Sequence, residues 1–233
     1  MHIAEGMLAA KWAATWYGAA AVIVVKGVVD LQRKVKEVPF FKPLLGLLGA
    51  AVFIISLLPV PLPFGTCSHA TGTPLAAILV GPFLASVLSL VALFLQAVFF
   101  AHGGLSTLGA NVFAMGVVGS FVGFGVFFLC RRLGISLLIA AFMAGMLGDL
   151  GVYVTTSLQL ALALHGEAPF IEFLVKFLLL FVPVQLPLAV LEGLVTAGIV
   201  GYIYRARPDI LLSLGVIKEI PGGVGNCQPK GVS

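Results

Sequence analysis

The chain opens Met1-His2-Ile3-Ala4-Glu5-Gly6, and its first two residues offer three nitrogen donors. These are the α-amine of Met1, the backbone nitrogen of His2 and the His2 imidazole. Together they can close adjacent five- and six-membered chelate rings on one metal ion. That chemistry requires an unblocked, unprocessed N-terminus; without it His2 is an ordinary surface histidine. His69, in the stretch Gly65-Thr66-Cys67-Ser68-His69-Ala70-Thr71-Gly72, reads either as a fourth nitrogen ligand or as a loop histidine bonded to its Ser and Thr neighbours. Chelation by an amine and the next amide favours a planar set. Planar nitrogen donors suit Ni(II) or Cu(II), while zinc favours tetrahedral, sulfur-rich sites. Binding through a deprotonated backbone nitrogen weakens at acid pH because protons compete with the metal, and imidazole protonation acts in the same direction. Glu5, Thr66, Ser68, His102 and Asn111 are placed to orient the imidazoles from a second layer. Helix capping by Glu5 and Ser68 and turn formation by Asn111 are the alternatives. His165 and Glu167 read as a solvated turn.

The elements that must position these groups are membrane helices. Only 9% of the 233 residues are charged, against roughly 25% in soluble domains, and the mean hydropathy is +1.16. The length suits six or seven spans of about 20 apolar residues each. No alternating strand pattern suggests an outer-membrane barrel. The apolar runs predict spans over 11–32, 43–60, 83–101, 107–130, 135–164 and 170–204. Residues 75–80, between Gly72 and Gly81-Pro82, are too few to cross, since ten helical residues rise only about 15 Å against a core of about 30 Å. They predict a half-helix shielded from lipid by protein. Interrupted helices of this kind commonly frame transporter sites. Pro183 and Pro187 predict a kink in the last span or a separate outer segment. Residues 1–207 form one membrane-embedded domain, followed by a tail over 208–233 whose Gly222-Gly223-Val224-Gly225 stretch reads as flexible.

Basic clusters at Arg33-Lys34-Val35-Lys36, Arg131-Arg132 and Arg205/Arg207 mark cytoplasmic loops. Counting the half-helix as one inward pass gives about seven passes, N-terminus outside and C-terminus cytoplasmic, with all three clusters on one side. All four histidines (His2, His69, His102, His165) then share the opposite, external side. The run after the N-terminus has no basic leader and no small-residue cleavage site, so Met1 and His2 are expected to survive processing.

The pI of 9.1 comes from these topological clusters and does not point to nucleic acid. Cys67, Cys130 and Cys227 are too scattered for a disulfide framework or a paired-cysteine metal motif. Asp149 and Glu192 fall inside apolar spans, where a charge is costly and faces the protein interior. They serve either helix packing or coupling to partner subunits. Small residues at four-residue spacing (Gly119/Gly123, Ala141/Gly145, Gly193/Ala197/Gly201) allow close helix contact. Ala9, Ala10, Ala13 and Ala14 form a face that could dock a partner membrane protein. No phosphate-binding loop, zinc-protease or serine-hydrolase motif occurs in the sequence, so neither ATP hydrolysis nor catalysis by this chain is expected.

Four stretches resemble one family. They are Met1-His2-Ile3-x-Glu5-Gly6-x-Leu8; Pro63-x-Gly65-Thr66-x-Ser68-His69-x-Thr71-Gly72-Thr73-Pro74-Leu75; Phe100 to Asn111; and Gln185-Leu186-Pro187-Leu188-Ala189-x-x-Glu192-Gly193. This pattern, over residues 1 to about 205, is similar to the nickel/cobalt substrate-binding (S) components of energy-coupling factor transporters, the CbiM/NikM type. The resemblance implies an all-α bundle of seven helices, one of them an added N-terminal helix, in a prokaryotic cell membrane. It implies an N-terminus plugged into the bundle, with Met1, His2 and His69 as ligands of transported Ni2+ or Co2+ and no organic cofactor. The partners it implies are a transmembrane coupling protein, cytoplasmic ATPase subunits and, in some systems, a small accessory membrane subunit. Ala4 and Ala9 stand where many relatives carry Pro, which loosens the turn after the ligands but leaves the nitrogens in place.

The leading expectation is therefore a capture subunit of an ATP-driven importer, with nickel slightly favoured by the nitrogen-only set. A stand-alone gradient-driven metal transporter is the alternative, and would need Asp149 or Glu192 for the coupling ion. A membrane metalloenzyme would need an open coordination position and a general base, for which Glu5 is a poor candidate.

Overall fold

The computed structural model describes residues 1–38, 41–64 and 66–219. Eight helices and one miniature sheet follow in the order β1 (His2–Ile3), α1 (Ala10–Glu37), α2 (Phe41–Ile55), β2 (Val60–Leu62), β3 (Thr66–Ser68), α3 (Thr73–Val80), α4 (Pro82–Phe100), α5 (Leu108–Arg132), α6 (Leu137–Leu164), α7 (Phe170–Ala206) and α8 (Pro208–Ser213). Helices α1, α4, α5, α6 and α7 are long and apolar enough to cross a membrane. α2, at 15 residues, rises only about 22 Å, shorter than its expected span.

The half-helix is α3. All eight of its residues are buried, so its backbone is shielded by protein. Gly72 (φ +70°) turns the chain into it and Gly81 (φ +92°) turns the chain out into α4. Both left-handed conformations favour glycine. Pro74 is wedged between α5 and α6. A Cβ added at Gly123 or Gly148 would lie 2.7 or 2.6 Å from the Pro74 ring, so the small residues on both helices make room for the broken element. α6 and α7 meet at Gly145, where an added Cβ would lie 2.9 Å from Gly193 Cα. The small-residue spacing thus serves internal packing at these positions.

Three features differ from the sequence expectations. α7 runs unbroken for 37 residues with Pro183 and Pro187 inside it, rather than splitting off an outer segment. α5 carries a π-helical stretch over Val112–Gly119, which no local sequence signal marked. An otherwise helical chain also holds a three-stranded antiparallel sheet in the order β1-β3-β2. Beyond α7, Leu211 of α8 and Ile217 are buried against the bundle. Gly222 to Gly225 and Cys227 lie outside the described residues.

Candidate metal centre

The N-terminal residues enter the bundle as an edge strand. His2 pairs with Cys67 and Ile3 with Thr66 in antiparallel register, so His2 and Cys67 project on the same side of the sheet. Ile3 is the anchor. Its N–H donates to Asn111 Oδ1 at 2.8 Å. Its carbonyl accepts from Asn111 Nδ2 at 3.0 Å and Thr107 Oγ1 at 2.8 Å. Further out, the Ser106 N–H donates to Glu5 Oε2 at 3.0 Å and the Gly6 N–H to Ser106 Oγ at 3.2 Å. Gly104 is needed there, since an added Cβ would fall 2.5 Å from Glu5 Cα.

The facing loop is held from beneath. Thr66 Oγ1 donates to the Pro63 carbonyl at 2.7 Å. Ser68 Oγ donates to Gln185 Oε1, and Gln185 Nε2 donates to Asp149 Oδ2. The Thr71 and Gly72 N–H groups donate to the two Glu192 oxygens at 2.6 and 2.8 Å. A buried carboxylate on α7 thus satisfies the freed backbone groups ahead of α3. Leaving such donors unpaired costs about 1–3 kcal/mol.

Between plug and loop sit His2, Cys67, His69 and His102, with one potential ligand atom from each inside a mutual 4.8 Å. The ring centroids are 4.3 Å (His2–His69), 4.6 Å (His2–His102) and 5.3 Å (His69–His102) apart. Cys67 Sγ is 3.0 Å from His102 Nε2. His69 Nδ1 lies 2.7 Å from the Ala70 carbonyl; donation there fixes the tautomer and leaves Nε2 with a free lone pair. That Nε2 and both ring nitrogens of His2 are buried without a protein partner. Orphaned nitrogens of this kind are rare inside proteins and fit ligation of a cation.

The electrostatics favour neutral donors. Burial holds the Met1 amine below its ordinary 8.0, opposed in part by Asp149, Cys67 and Glu192. Burial, then the charges of His69, the amine and His102, hold His2 well below 6.5. His69 is held well below 6.5 chiefly by burial and then by the amine. His102 is lowered to about 4 by burial and the amine. Burial raises the Cys67 thiol, although the amine and the His2 backbone N–H act against it. Cations crowded this tightly repel one another, so these groups are held as neutral donors, the form that metal ligation requires.

The family model described as "Cobalt uptake substrate-specific transmembrane region" (CbiM) matches residues 2–210. The chain belongs to this family. It is 50% identical over 226 residues to the "Cobalt transport protein CbiM" of Geobacter sulfurreducens, covering 97% of this chain and 65% of that relative, so it spans about two thirds of that protein's length. It is 48% identical to the Sorangium cellulosum protein of the same name, covering 95% of this chain and 99% of the relative. A crystal structure described as a transition metal transporter superposes with a TM-score of 0.79 at 26% identity, over 91% of this chain and 98% of its own. A truncated transition metal transporter gives 0.73 at 27% identity, covering 90% of this chain and 99% of its own. This chain is thus a multi-pass prokaryotic membrane protein of a metal-transport family, with a helical fold.

The structure brings Met1, His2, His69 and His102 into one cup. His102 lies in the cluster itself, its ring against those of both other histidines. Glu5, Thr66, Ser68 and Asn111 surround the cup, but none hydrogen-bonds an imidazole. They fix the backbones of plug and loop, because the sheet pairing already aims the side chains. His165 is elsewhere, with Nδ1 at 3.2 Å from the Ala168 carbonyl. The sequence reading passed over Thr107, Gln185 and Cys67, and left Asp149 and Glu192 without a defined contact. Thr107 and Gln185 stood inside the quoted stretches with no reason to prefer them over neighbours. Cys67 had a readable signal: it stands two before His69, and in an extended strand such residues share a face.

Proposed function

We propose that this protein is the substrate-capturing subunit of an ATP-driven importer of the energy-coupling factor type, taking Ni(II) or Co(II) from outside the cell. The Met1 amine, the His2 amide and imidazole and His69 Nε2 are the ligands. A transmembrane coupling protein and cytoplasmic ATPases complete the transporter, joined in some systems by a small membrane subunit. The observation that carries this reading is the set of three fully buried, unpartnered imidazole nitrogens packed around a buried N-terminus. A planar four-nitrogen set is suited to Ni(II), while the relatives are named for cobalt. Residues 1–207 form the membrane domain and 208–233 the cytoplasmic tail in this reading.

The gradient-driven alternative keeps one of its two residues. Glu192 is engaged by the Thr71 and Gly72 amides, whereas Asp149 gives one oxygen to Gln185 and leaves Oδ1 unpartnered.

The test is calorimetric titration of the purified chain with Ni(II), comparing the native start with the same chain carrying two residues ahead of Met1. The extension removes the primary amine and keeps every side chain. Saturable binding to the native start, weakened about a hundredfold or more by the extension, is expected. His69→Gln with a native start guards against simple displacement of the plug, and it too loses tight binding. Equal affinity in all three proteins would remove the chelate from the account.

A further inference from the structure

At the arginine end of the bundle, where α5 and α7 finish, a cavity of about 750 Å³ opens. It is lined by Arg131, Arg132 and Lys218 against one carboxylate, Glu219, so positive charge is in excess. Buried Phe127 and Ile217 belong to its apolar wall. Arg131 Nη1 donates to the Ile135 carbonyl at 2.9 Å, which fixes the guanidinium with donors to spare. Among the described residues, Arg132 and Lys218 enter no ion pair, whereas Arg33, Lys176 and Arg207 each pair with a carboxylate within four residues. A smaller groove of about 390 Å³ adjoins the cavity. It shares Phe128 and Arg132 with it and is otherwise lined by Phe124, Gly125 and Leu129. These positions form one stripe along α5, and Gly125, Phe128 and Leu129 are exposed. A Cβ added at Gly125 would meet nothing within 4 Å, so no packing contact demands the glycine. From Arg132 back to Phe124 the helix rises about 12 Å, away from the charges and towards the middle of the span.

We propose that cavity and groove together bind one anionic phospholipid, its phosphate at Arg131, Arg132 and Lys218 and an acyl chain along Phe124, Gly125, Phe128 and Leu129. Phosphate oxygens accept charge-assisted bonds from guanidinium and ammonium groups. The union of charge and groove selects an amphiphile. A free phosphate leaves the groove unfilled, and a peptide laid in it leaves backbone amides without partners. In the orientation read from the basic clusters, the cavity lies at the level of the inner-leaflet headgroups. Anionic lipids are concentrated there, and basic pockets between helices recognise them. The site stands at the end of the bundle opposite the histidine cup and uses none of its residues. It joins α5 to the segment after α8, so a bound lipid ties that segment to the bundle.

The experiment adds dioleoylphosphatidylglycerol, dioleoylphosphatidylcholine or inorganic phosphate to the full chain in detergent, and reads bound lipid by native mass spectrometry together with the melting temperature. One phosphatidylglycerol per chain is expected, bound about tenfold or more tighter than phosphatidylcholine and raising the melting temperature. Excess inorganic phosphate should neither displace it nor stabilise the protein. Arg132→Gln with Lys218→Gln should remove the preference. Lys36→Gln with Lys42→Gln deletes the same charge outside the cavity and should leave it. Gly125→Leu keeps every charge, favours the helix and fills the groove; it should weaken phosphatidylglycerol binding about tenfold. Equal binding of the two lipids overturns the proposal and leaves the cavity to an acidic segment of a partner chain. Displacement by inorganic phosphate overturns it in favour of a free anion. Equal loss in the Lys36/Lys42 pair reduces it to diffuse charge, and an unaffected Gly125→Leu removes the acyl seat. Ni(II) titration of every variant reports that it is folded. Wild type that fails to bind Ni(II) would remove the capture reading and leave the lipid result standing.

Discussion

The two ends of the bundle are built on opposite principles. At the histidine end, several polar groups of plug and loop are held by residues far along the chain. Asn111 binds Ile3, Ser106 binds Glu5 and Glu192 binds Thr71. At the arginine end, where α1, α5 and α7 finish, the charges are exposed and bonded to near neighbours. Arg33 pairs with Glu37, Arg207 with Asp209, and Arg131 donates to the Ile135 carbonyl. Long-range bonds between buried groups fix positions to fractions of an ångström, and a metal site needs that precision. Local bonds between solvated charges fix little and are cheap to lose. The contrast teaches that the polar groups of the plug and its facing loop are tied by long-range bonds, as a metal site would require, while the charges at the arginine end are bonded locally.

The contrast is broken most directly at Asn111. Its side chain both donates to and accepts from the plug, through Ile3 O and N. Asn111→Leu keeps the branched outline of the side chain and removes both bonds. Loss of about 1–3 kcal/mol of stability and a fall of about 10- to 100-fold in metal affinity are expected, by thermal unfolding in detergent and by calorimetry. If stability falls but affinity holds, the sheet pairing of His2 with Cys67 positions the ligands alone, and the long-range bonds of this end are structural only.

Much of this arrangement was legible in the sequence because it depends on local signals. Gly72, Gly81 and Pro82 punctuate the chain wherever they stand, so the half-helix was readable, as were the long apolar spans and the basic loops. His2 stood out by its place beside the N-terminal amine, and His69 by its loop ahead of the half-helix and by the family resemblance. The miniature sheet was not readable. β1 and β3 are two and three residues long, below the length at which alternation can be recognised, and their pairing joins segments some 65 residues apart. Of the two readings offered for Pro183 and Pro187, the separate outer segment does not form, for a related reason. Proline removes a helical hydrogen bond, but packing against α6 through Gly145 and Gly193 supplies the continuity that a local rule cannot see. The roles of Glu192 and Gln185 depend on backbone groups freed by a fold not yet formed.

A pH series sharpens the comparison. His2, His69 and His102 are held neutral in the folded protein, chiefly by burial, while the unfolded chain titrates them near 6.5. Below that pH the unfolded state binds more protons than the folded one, so metal-free stability falls as pH falls. For His102 the loss accumulates between 6.5 and about 4, and for the two buried rings it continues to lower pH. Melting temperature of the metal-free protein should therefore drop from pH 7 towards pH 5. His102→Gln should flatten part of that slope. A melting temperature independent of pH over this range would mean that the cup opens to water without unfolding.

The smallest effect belongs to the arginine end. Arg207 donates to Asp209 through two bonds, Nε at 3.0 Å and Nη2 at 2.8 Å, a geometry that elsewhere is strong. Both side chains are more than half exposed, so water competes for each group and salt screens the pair. Arg207→Gln should leave the melting temperature and Ni(II) affinity within measurement scatter, at low and at high salt alike. A clear drop in metal affinity would show that the two ends are coupled through α7, the helix that carries Gln185 and Glu192 near its middle and ends just before Arg207. A clear drop in stability alone would show instead that this ion pair anchors α8, whose Leu211 is buried against the bundle, more firmly than an exposed pair should.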